Sequence, residues 1–290
     1  MKINIDFIFT CESDDWKIEK LVWRLAQKLK NYQTGETWIF KRVYRIDQDE
    51  KLYHEVVETY EKYKTEINFK ILDFNVELNE EEVKEAVAFI PIWPNEFCEE
   101  YDDVSYKYKQ CDLCGSSLKS DDIIFVQPVG SIKKDGFKIL SFDGFNEIVM
   151  LPKLVDKLLE EGVCEEHFQP VFSKKKKIMG YIFEKENVMP LGSYIDPNYK
   201  KTMICEKCNA HCYHTNQDVN YIRKKWLKKD IVQMLKDVNC TSEYYDGHRV
   251  LLISPKIQKI ISKYVKDSAF IPVFESEEVE YDMEKTSRII

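Results

Sequence analysis

Residues 143–153 read Asp-Gly-Phe-Asn-Glu-Ile-Val-Met-Leu-Pro-Lys, and residues 246–256 read Asp-Gly-His-Arg-Val-Leu-Leu-Ile-Ser-Pro-Lys. The two stretches align without a gap, and each continues into apolar residues at helical spacing and then into a Pro-Val-Phe segment. An Asp-Gly pair favours a tight turn, and proline suits the first turn of a helix because its missing N–H is not needed there. The pattern therefore predicts a duplicated turn–strand–helix–strand unit at residues 143–172 and 246–274.

Two Cys-x-x-Cys pairs carry the clearest chemical signal in the chain. They read Cys111-Asp-Leu-Cys114-Gly and Cys205-Glu-Lys-Cys208-Asn. A tight turn at this spacing points both sulfurs inward, and the following residue is commonly left-handed, which glycine and then asparagine tolerate best. Four thiolates in two such knuckles form the closed tetrahedral site that is typical of structural zinc. The sequence thus predicts one structural Zn²⁺ bound by Cys111, Cys114, Cys205 and Cys208.

Other interpretations of the same cysteines stay open at this point. Four unligated thiols are one alternative, because the insertion between the pairs is far longer than in a compact zinc ribbon. Two redox pairs are another, although nothing around them is thioredoxin-like. His211, Cys212 and His214 follow the second pair and could complete a mixed site or surround the metal. Thiolates bind zinc well enough that four correctly spaced cysteines are the preferred ligands.

The chain as a whole is typical of an α+β protein with mixed or antiparallel sheets, because its helices are few and irregularly spaced. Residues 1–100 form a predicted N-terminal α/β region. Residues 101–275 contain the zinc-ribbon-like double knuckle and both repeat units, and residues 276–290 read as a charged, mobile tail. In the N-terminal region, Ile3–Phe9 alternates like a strand, and the apolar residues after Trp16 recur at helical spacing.

Composition limits the classes of function. The 290 residues are 44% hydrophobic, which is enough for a sizeable core, and the formal net charge is −8. Proteins that bind duplex nucleic acid usually have a basic excess, because neutralising phosphates supplies much of their affinity. The acidic balance therefore disfavours nucleic acid as a partner. The basic runs Lys174–Lys177 and Arg223–Lys229 are interpreted as a solvated loop and a solvated helix face.

The expected compartment is the cytoplasm. The longest apolar stretches are too short to cross a bilayer, so no membrane association is expected. Asp6 interrupts the N-terminal apolar residues, which therefore lack the uninterrupted core of a signal peptide. Nine cysteines in a chain without an export signal indicate thiols rather than a disulfide framework.

No catalytic motif is recognisable in the sequence. A zinc deaminase requires a His-x-Glu pair, but His54 and His167 are followed two residues later by Val56 and Gln169. A Gly-rich phosphate loop, a Gly-x-Ser-x-Gly elbow and a His-Glu-x-x-His helix are also missing from the sequence. Four sulfur ligands would leave zinc no open position for activating water. We therefore expect no enzymatic activity, with an unrecognised enzyme whose site is spread over the fold as a lesser alternative.

The two knuckles, the first ending in Gly115, are separated by a long insertion, and each is followed by a strand, a helix and a further strand. This arrangement resembles the bacterial double-CXXCG motif proteins, which include immunity proteins of toxin-exchange systems. Leu151–Gly162 is also similar to a module of polymorphic-toxin immunity proteins. The resemblance covers about residues 105–275, and Asn209 departs from it where the motif has glycine. It implies an intracellular protein that neutralises a cognate toxin by binding it.

The leading functional expectation is therefore a non-enzymatic binding protein, specifically an immunity protein stabilised by zinc. The alternative is a zinc-ribbon nucleic-acid-binding or transcription accessory protein, because the basic run Arg223–Lys229 follows the second knuckle and Lys174–Lys177 is a further basic run. An acidic immunity protein is expected to present clustered carboxylates and aromatic side chains to a basic toxin surface. Glu99–Asp103 and Tyr244–Asp246 are the candidate contact segments.

Overall fold

The computed structural model divides the chain into two compact units, with the boundary between Val83 and Lys84. The sequence had set the end of the N-terminal region at residue 100. The difference arises because the strand Ala88–Pro91 pairs with two strands from the end of the chain, so it belongs to the second unit. The described residues are 2–36, 42–77, 79–92, 97–100, 109–118, 124–128, 136–142, 147–173, 175–185, 187–215, 224–266 and 268–276.

The first unit is a four-stranded antiparallel sheet with two helices. Its strands are β1 (Lys2–Cys11), β2 (Gln33–Glu36), β3 (Arg42–Asp47) and β4 (Ile67–Glu77), in the order β2-β3-β1-β4. The helices are α1 (Trp16–Lys28), which continues as a 3-10 turn to Tyr32, and α2 (Lys51–Lys62). Alternate residues of β1 pack in one apolar core with Ile18, Val22 and Leu25 of α1. The predicted first strand and first helix are therefore present.

Two helix starts follow the rules of capping. Asp15 accepts a 2.8 Å hydrogen bond from Lys17 N at the start of α1. The short helix α3 (Glu80–Glu85) begins with a reciprocal box, because Asn79 N donates to Glu82 and Glu82 N donates to Asn79. Side-chain oxygens thus bind backbone N–H groups that the first turn of a helix leaves without a partner.

The second unit contains all the remaining elements. Its first strands are β5 (Ala88–Pro91), β6 (Phe97–Glu100), β7 (Lys109–Gln110), β8 (Ser117–Leu118), β9 (Ile124–Pro128), β10 (Ile139–Phe142), β11 (Glu147–Met150), β12 (Phe168–Phe172) and β13 (Ile178–Phe183). The later strands are β14 (Tyr194–Ile195), β15 (Tyr199–Ile204), β16 (His211–Thr215), β17 (Lys225–Lys228), β18 (Val238–Cys240), β19 (Tyr244–Tyr245), β20 (Leu251–Ile253) and β21 (Phe270–Ser276). The helices are α4 (Pro152–Glu160), α5 (Lys229–Val232) and α6 (Pro255–Tyr264), with a 3-10 turn at Glu165–His167.

Two six-stranded sheets organise this unit. One is a closed barrel with the order β10-β11-β13-β12-β9-β6, and the other has the order β18-β20-β5-β21-β17-β14. Both contain parallel and antiparallel pairs, as the sequence predicted for an α+β fold. Two smaller sheets, β15-β16-β19 and β7-β8, carry the cysteine turns.

Strand, helix and strand occupy both of the aligned sequence segments. They are β11, α4 and β12 in the first segment, and β20, α6 and β21 in the second. Pro152 and Pro255 stand in the first turns of their helices, as predicted. The aligned Leu158 and Ile261 are both fully buried. The first Asp-Gly turn and the tail after residue 276 lie outside the described residues.

Gly180 of β13 marks a close approach between two barrel strands. A Cβ atom at this position would lie 2.6 Å from Met150 O and 2.7 Å from Val149 Cγ1 of β11. Since backbone cannot swing aside, we expect Gly180→Ala to destabilise the second unit by about 1–3 kcal/mol, the usual range for overpacking. Gly35→Ala is the control, because nothing lies within 4 Å of its added Cβ. Thermal unfolding followed by circular dichroism measures both; equal melting temperatures would refute the prediction.

Candidate metal centre

The two cysteine pairs lie together in the folded chain. The Sγ atoms of Cys111, Cys114, Cys205 and Cys208 are all within 4.8 Å of one another. The Sγ atoms of Cys111 and Cys205 are 3.7 Å apart, and those of Cys114 and Cys208 are 3.6 Å apart. The structure thus brings together the four side chains that the sequence proposed as ligands. Among the described residues they form the one such cluster of potential metal ligands.

Each pair sits on a turn between two antiparallel strands, the first between β7 and β8 and the second between β15 and β16. Cys111 O accepts a 2.7 Å hydrogen bond from Gly115 N, and Cys205 O accepts a 2.8 Å hydrogen bond from Asn209 N. Gly115 and Asn209 both have positive φ, at 70° and 56°. This is the left-handed conformation that the sequence predicted after each pair. Asparagine adopts it at modest cost, so the turn forms without a second glycine.

Burial differs within the cluster. Cys111 and Cys205 are 3% and 0% exposed, whereas Cys114 and Cys208 are half-buried. Burial raises the pKa of the Cys114 thiol, but hydrogen bonds with Ser116, Cys205 and Cys208 outweigh burial and lower the pKa to about 6. Burial, reinforced by hydrogen bonds among the cysteines, raises the pKa of Cys208 to about 12. Metal ligation requires thiolates, so a cation at this site must displace protons as it binds.

Ser116 and Cys212 are both buried and lie next to the cysteine cluster. Ser116 is fully buried, and its Oγ lies 3.2 Å from Cys114 Sγ and 3.6 Å from Cys212 Sγ. Cys212 Sγ also contacts Ala210 O at 3.6 Å. The fifth cysteine therefore packs beside the four without joining their group. Sequence reasoning missed Ser116, whose signal was only its position directly after the first knuckle.

The two histidines near the second knuckle also lie outside the four-sulfur group. His214 Nδ1 is 3.1 Å from Asp246 Oδ1, and Asp246 also accepts from Thr215 N and Oγ1. His211 is half-buried in β16. His214 thus has a carboxylate partner on the neighbouring Asp-Gly turn, which gives it a structural contact instead of a place among the sulfurs.

The predicted turn at Asp246 packs directly against the first knuckle. Asp246 and Gly247 both have positive φ, and Tyr245 and His248 exchange backbone hydrogen bonds, which makes a two-residue hairpin turn. Gly247 O accepts a 2.8 Å hydrogen bond from Ser117 N. A Cβ on Gly247 would lie 3.2 Å from Gly115 O. The second repeat segment therefore contacts the turn that carries the first cysteine pair.

A charged pair links the outer sides of the two knuckles. Lys207 Nζ lies 2.5 Å from Asp112 Oδ1, and both side chains are mostly exposed. The hydrogen bond with Lys207 lowers the pKa of Asp112, and the same bond raises the pKa of Lys207. Exposed pairs of this kind add little stability. Their effect here is to place a cation next to a group of potential thiolates.

The second basic run is not the solvated helix face that the sequence indicated. Lys225–Lys228 forms strand β17, and the Lys225 side chain is only 9% exposed. It forms an ion pair with Asp196, which is 2% exposed and also accepts hydrogen bonds from Asn198 N and Tyr194 Oη. The interpretation was wrong because a distant carboxylate neutralises the lysine. In the first basic run, Lys175–Lys177 are exposed, as predicted, and Lys174 lies outside the described residues.

The aromatic contact segment predicted at Tyr244–Asp246 is also wrong. Tyr244 and Tyr245 are 7% and 6% exposed. Tyr245 stacks on Tyr213 with ring centroids 5.0 Å apart and meets Tyr194 edge-on. The rings of Tyr245, Tyr213 and Tyr194 belong to the core of the second sheet. In the other candidate segment, residues 101–103 lie outside the described residues.

Comparisons with known proteins identify no relative. No protein-family model, curated protein or solved structure matches the chain. Within the described residues, no helix combines the length and the apolar character that crossing a bilayer would need.

Proposed function

We propose that the four cysteines hold one structural zinc ion and that the chain is a non-enzymatic bacterial binding protein, an immunity protein that neutralises a cognate toxin in the cytoplasm. The zinc assignment rests on one observation: four cysteine sulfurs, from two turns that are far apart in the sequence, lie close together in the fold. The binding role is supported by the resemblance to double-CXXCG motif proteins and by the absence of a recognisable catalytic motif in the sequence.

The cysteine geometry fits a tetrahedral thiolate site. Four zinc–sulfur bonds of about 2.3 Å require sulfur–sulfur edges of about 3.8 Å. Two of the observed edges are 3.7 and 3.6 Å, and the longest separation in the group is within 4.8 Å. A zinc ion bound by four sulfurs supplies structural cross-linking, because it has no open position for water or substrate. The protein side chains hold the turns in place through the left-handed residue and the backbone hydrogen bond of each knuckle.

Metal analysis tests this centre directly. We expect one zinc ion per chain in protein purified without chelator, and a tetrahedral thiolate spectrum after exchange with cobalt(II). Cys114→Ser should lower the metal content to well below one, because three sulfurs bind zinc more weakly than four. Cys164→Ser is the control, since Cys164 is exposed and outside the group. Full metal content in the Cys114→Ser protein would refute the assignment.

The same proposal includes a duplication that is larger than the one seen in the sequence. Adjacent strands in the order β10-β11-β13-β12-β9-β6 pair as antiparallel, antiparallel, antiparallel, parallel and antiparallel. Adjacent strands in the order β18-β20-β5-β21-β17-β14 pair in the identical series. Two unrelated mixed sheets would rarely agree in the positions of six strands and in the parallel or antiparallel orientation of all five strand pairs. Each six-stranded sheet is therefore interpreted as one copy of an ancestral unit.

The pairing registers agree residue by residue. Tyr181 faces Met150 on one side and Pro170 on the other. In the second sheet, Phe89 faces the aligned residues of the second repeat unit, Ile253 and Pro272. Strand β5 thus occupies the position in the second sheet that β13 occupies in the barrel. The chain order differs, because β13 is the last strand of its sheet in the sequence and β5 is the first strand of its sheet.

Each copy also supplies one knuckle at the same position. Glu100 pairs with Val126 in the first sheet, and Tyr194 pairs with Leu227 in the second. Glu100 and Tyr194 precede the first cysteine of their knuckle by the same number of residues. The proposed zinc therefore joins two equivalent halves. Superposition of the halves in an experimental structure tests this, and one reversed strand pair would contradict it.

The nucleic-acid alternative loses part of its support. Its basis was the zinc site beside the second basic run, together with the Lys174 run. In the second basic run, Lys225 is buried with Asp196 and Lys229 pairs with Glu275 at 3.6 Å, whereas Lys175–Lys177 of the first run are exposed. A phosphate-binding stripe requires lysines whose charge faces solvent. We therefore retain the protein-binding role as the proposal, and salt-resistant duplex binding would favour the alternative.

Co-expression tests the proposed function. Cells that produce the toxin encoded beside this gene should survive when this chain is present. They should die when the chain carries Cys111→Ser, because that substitution is expected to unfold the second unit. A chain truncated after Ser276 should still protect, because β21 ends there. The same chain should not protect against unrelated toxins. Failure to protect against any neighbouring toxin would reject the immunity role.

A further inference from the structure

Helix α1 exposes two tryptophan side chains. Trp16 and Trp23 are 63% and 61% exposed. No other aromatic side chain whose burial the structure describes is exposed. A single exposed apolar residue is normal on a protein surface, but two large exposed rings on one side of a helix are the kind of apolar surface that often marks a binding site.

The two rings share one line along the helix. Residues seven apart are separated by about two turns and about 10.5 Å along the axis. Ile18, Val22 and Leu25 are buried in the core of the first unit and occupy the opposite side of α1. The amphipathic requirement of the helix is therefore met without the tryptophans, so folding of the helix does not explain them.

Cationic side chains surround the rings. Lys17, Lys20 and Arg24 are all exposed. The Nζ atoms of Lys17 and Lys20 lie 6.0 and 5.9 Å from the centroid of the Trp16 ring. Glu19 is the single acidic residue of the helix. The outward side of α1 is thus a basic and aromatic surface on a chain whose net charge is −8.

We propose that Trp16, Lys17, Lys20, Trp23 and Arg24 form a docking face, here called the tryptophan face, for a protein partner that presents acidic residues around an apolar pocket. Tryptophan and arginine are the side chains most enriched among binding hot spots. The rings would fill the pocket, and the cations would meet the acidic rim. The local charge of this face thus reverses the sequence-based expectation of an acidic contact surface.

Charge and shape favour a protein over the other polyanions. A nucleic acid carries phosphate charge along its whole length, so it meets more long-range repulsion from the net negative charge than a pocket with a few carboxylates does. Single-stranded nucleic acids also bind in grooves that track the backbone, whereas this face is the convex side of one helix. A helix that binds a membrane surface inserts its apolar side, but the apolar side of α1 is already packed in the core. An acidic protein pocket requires neither a groove nor a free apolar side.

The inference rests on the proposed function for one point only, the identity of the partner as a toxin. The chemistry of the face is tested separately with a fluorescently labelled helical peptide of leucine anchors flanked by glutamates. We expect saturable binding that weakens as salt increases. The Trp16→Ala/Trp23→Ala variant should bind the peptide about tenfold or more weakly, a loss of about 1.4 kcal/mol or more, because truncating hot-spot side chains removes a large share of the binding free energy.

A charge-reversal variant and a control variant at an exposed site outside the tryptophan face complete the experiment. Lys17→Glu/Lys20→Glu should weaken peptide binding, and Met234→Ala should leave it unchanged, because Met234 is 64% exposed but lies in the second unit. Melting temperatures show whether each variant is folded. Unchanged binding by the folded double-tryptophan variant, or tighter binding of a twenty-nucleotide poly-dT strand than of the peptide, would overturn the proposal.

The two proposals fail in distinguishable ways. If the wild-type chain protects against a neighbouring toxin, the folded Trp16→Ala/Trp23→Ala variant should lose protection. Protection that survives in that variant would reject this face while leaving the immunity role intact. Peptide binding through the tryptophans without protection by the wild type would reject the immunity role and leave the docking face.

Discussion

Loss of one cysteine ligand is expected to unfold the second unit. In Cys111→Ser, three sulfurs remain, and the proposed zinc link between β7-β8 and β15-β16 is lost. Structural zinc contributes about 10–16 kcal/mol of apparent binding free energy in small zinc domains. That amount is comparable to the whole stability of a typical domain, about 5–15 kcal/mol. We therefore expect Cys111→Ser, and wild-type protein treated with a strong chelator, to lose the cooperative melting transition of the second unit.

A second buried cysteine provides the matched control. Cys240 is fully buried, but its Sγ contacts Lys185 O at 3.4 Å and lies outside the sulfur group. Cys240→Ser should keep one zinc per chain and melt within several degrees of the wild type. Differential scanning calorimetry with and without chelator measures both variants. Similar melting curves for Cys111→Ser and Cys240→Ser would show that the metal does not support the fold.

Removal of the buried lysine in the second sheet is expected to be nearly as damaging. Lys225→Met leaves Asp196 without its cation, and that carboxylate side chain is 2% exposed. Removing one partner of a buried pair typically costs about 3–5 kcal/mol, because the remaining charge has neither water nor a counter-charge. The hydrogen bonds from Tyr194 and Asn198 to Asp196 reduce this cost but do not replace a cation.

The neighbouring lysine in the same basic run is the control for this prediction. Lys229 is 62% exposed and pairs with Glu275 on the surface. Lys229→Met should change the unfolding free energy by about 1 kcal/mol or less. Urea unfolding of the two variants measures the difference. The double variant Lys225→Met/Asp196→Leu should recover part of the loss, because no charge is then buried alone.

Local features of the fold could be predicted from the sequence. The left-handed residue after each knuckle, the Asp-Gly turn at Asp246 and the proline start of each repeat helix depend on neighbouring residues only. Leu158 and Ile261 face the core because helical periodicity fixes which side of a helix is apolar. The grouping of the four sulfurs could be predicted from ligand chemistry, since two Cys-x-x-Cys knuckles are a typical ligand pattern for one structural zinc ion.

Pairings between distant segments could not be predicted in the same way. Barrel closure depends on parallel contact between β6 and β10, and strands of four residues carry too little periodicity to specify a partner. Lys225 was predicted to be solvated because lysine side chains are usually exposed. Its burial is stabilised by the ion pair with Asp196, which lies elsewhere in the sequence. Tyr244 and Tyr245 looked exposed because a turn follows them, but Tyr245 packs in the core of the second sheet and Tyr244 packs against the cysteine cluster.

The position of β5 has a consequence for the order in which the chain is synthesised. Ala88–Pro91 leaves the ribosome early, yet its two neighbours in the sheet, β20 and β21, are among the last strands made. At about 5–20 residues per second, this strand waits on the order of ten seconds or more with both edges unpaired. Unpaired edges invite association with other chains. The nascent protein is therefore most exposed to aggregation, or to capture by a chaperone, in the interval before Phe270–Ser276 emerges.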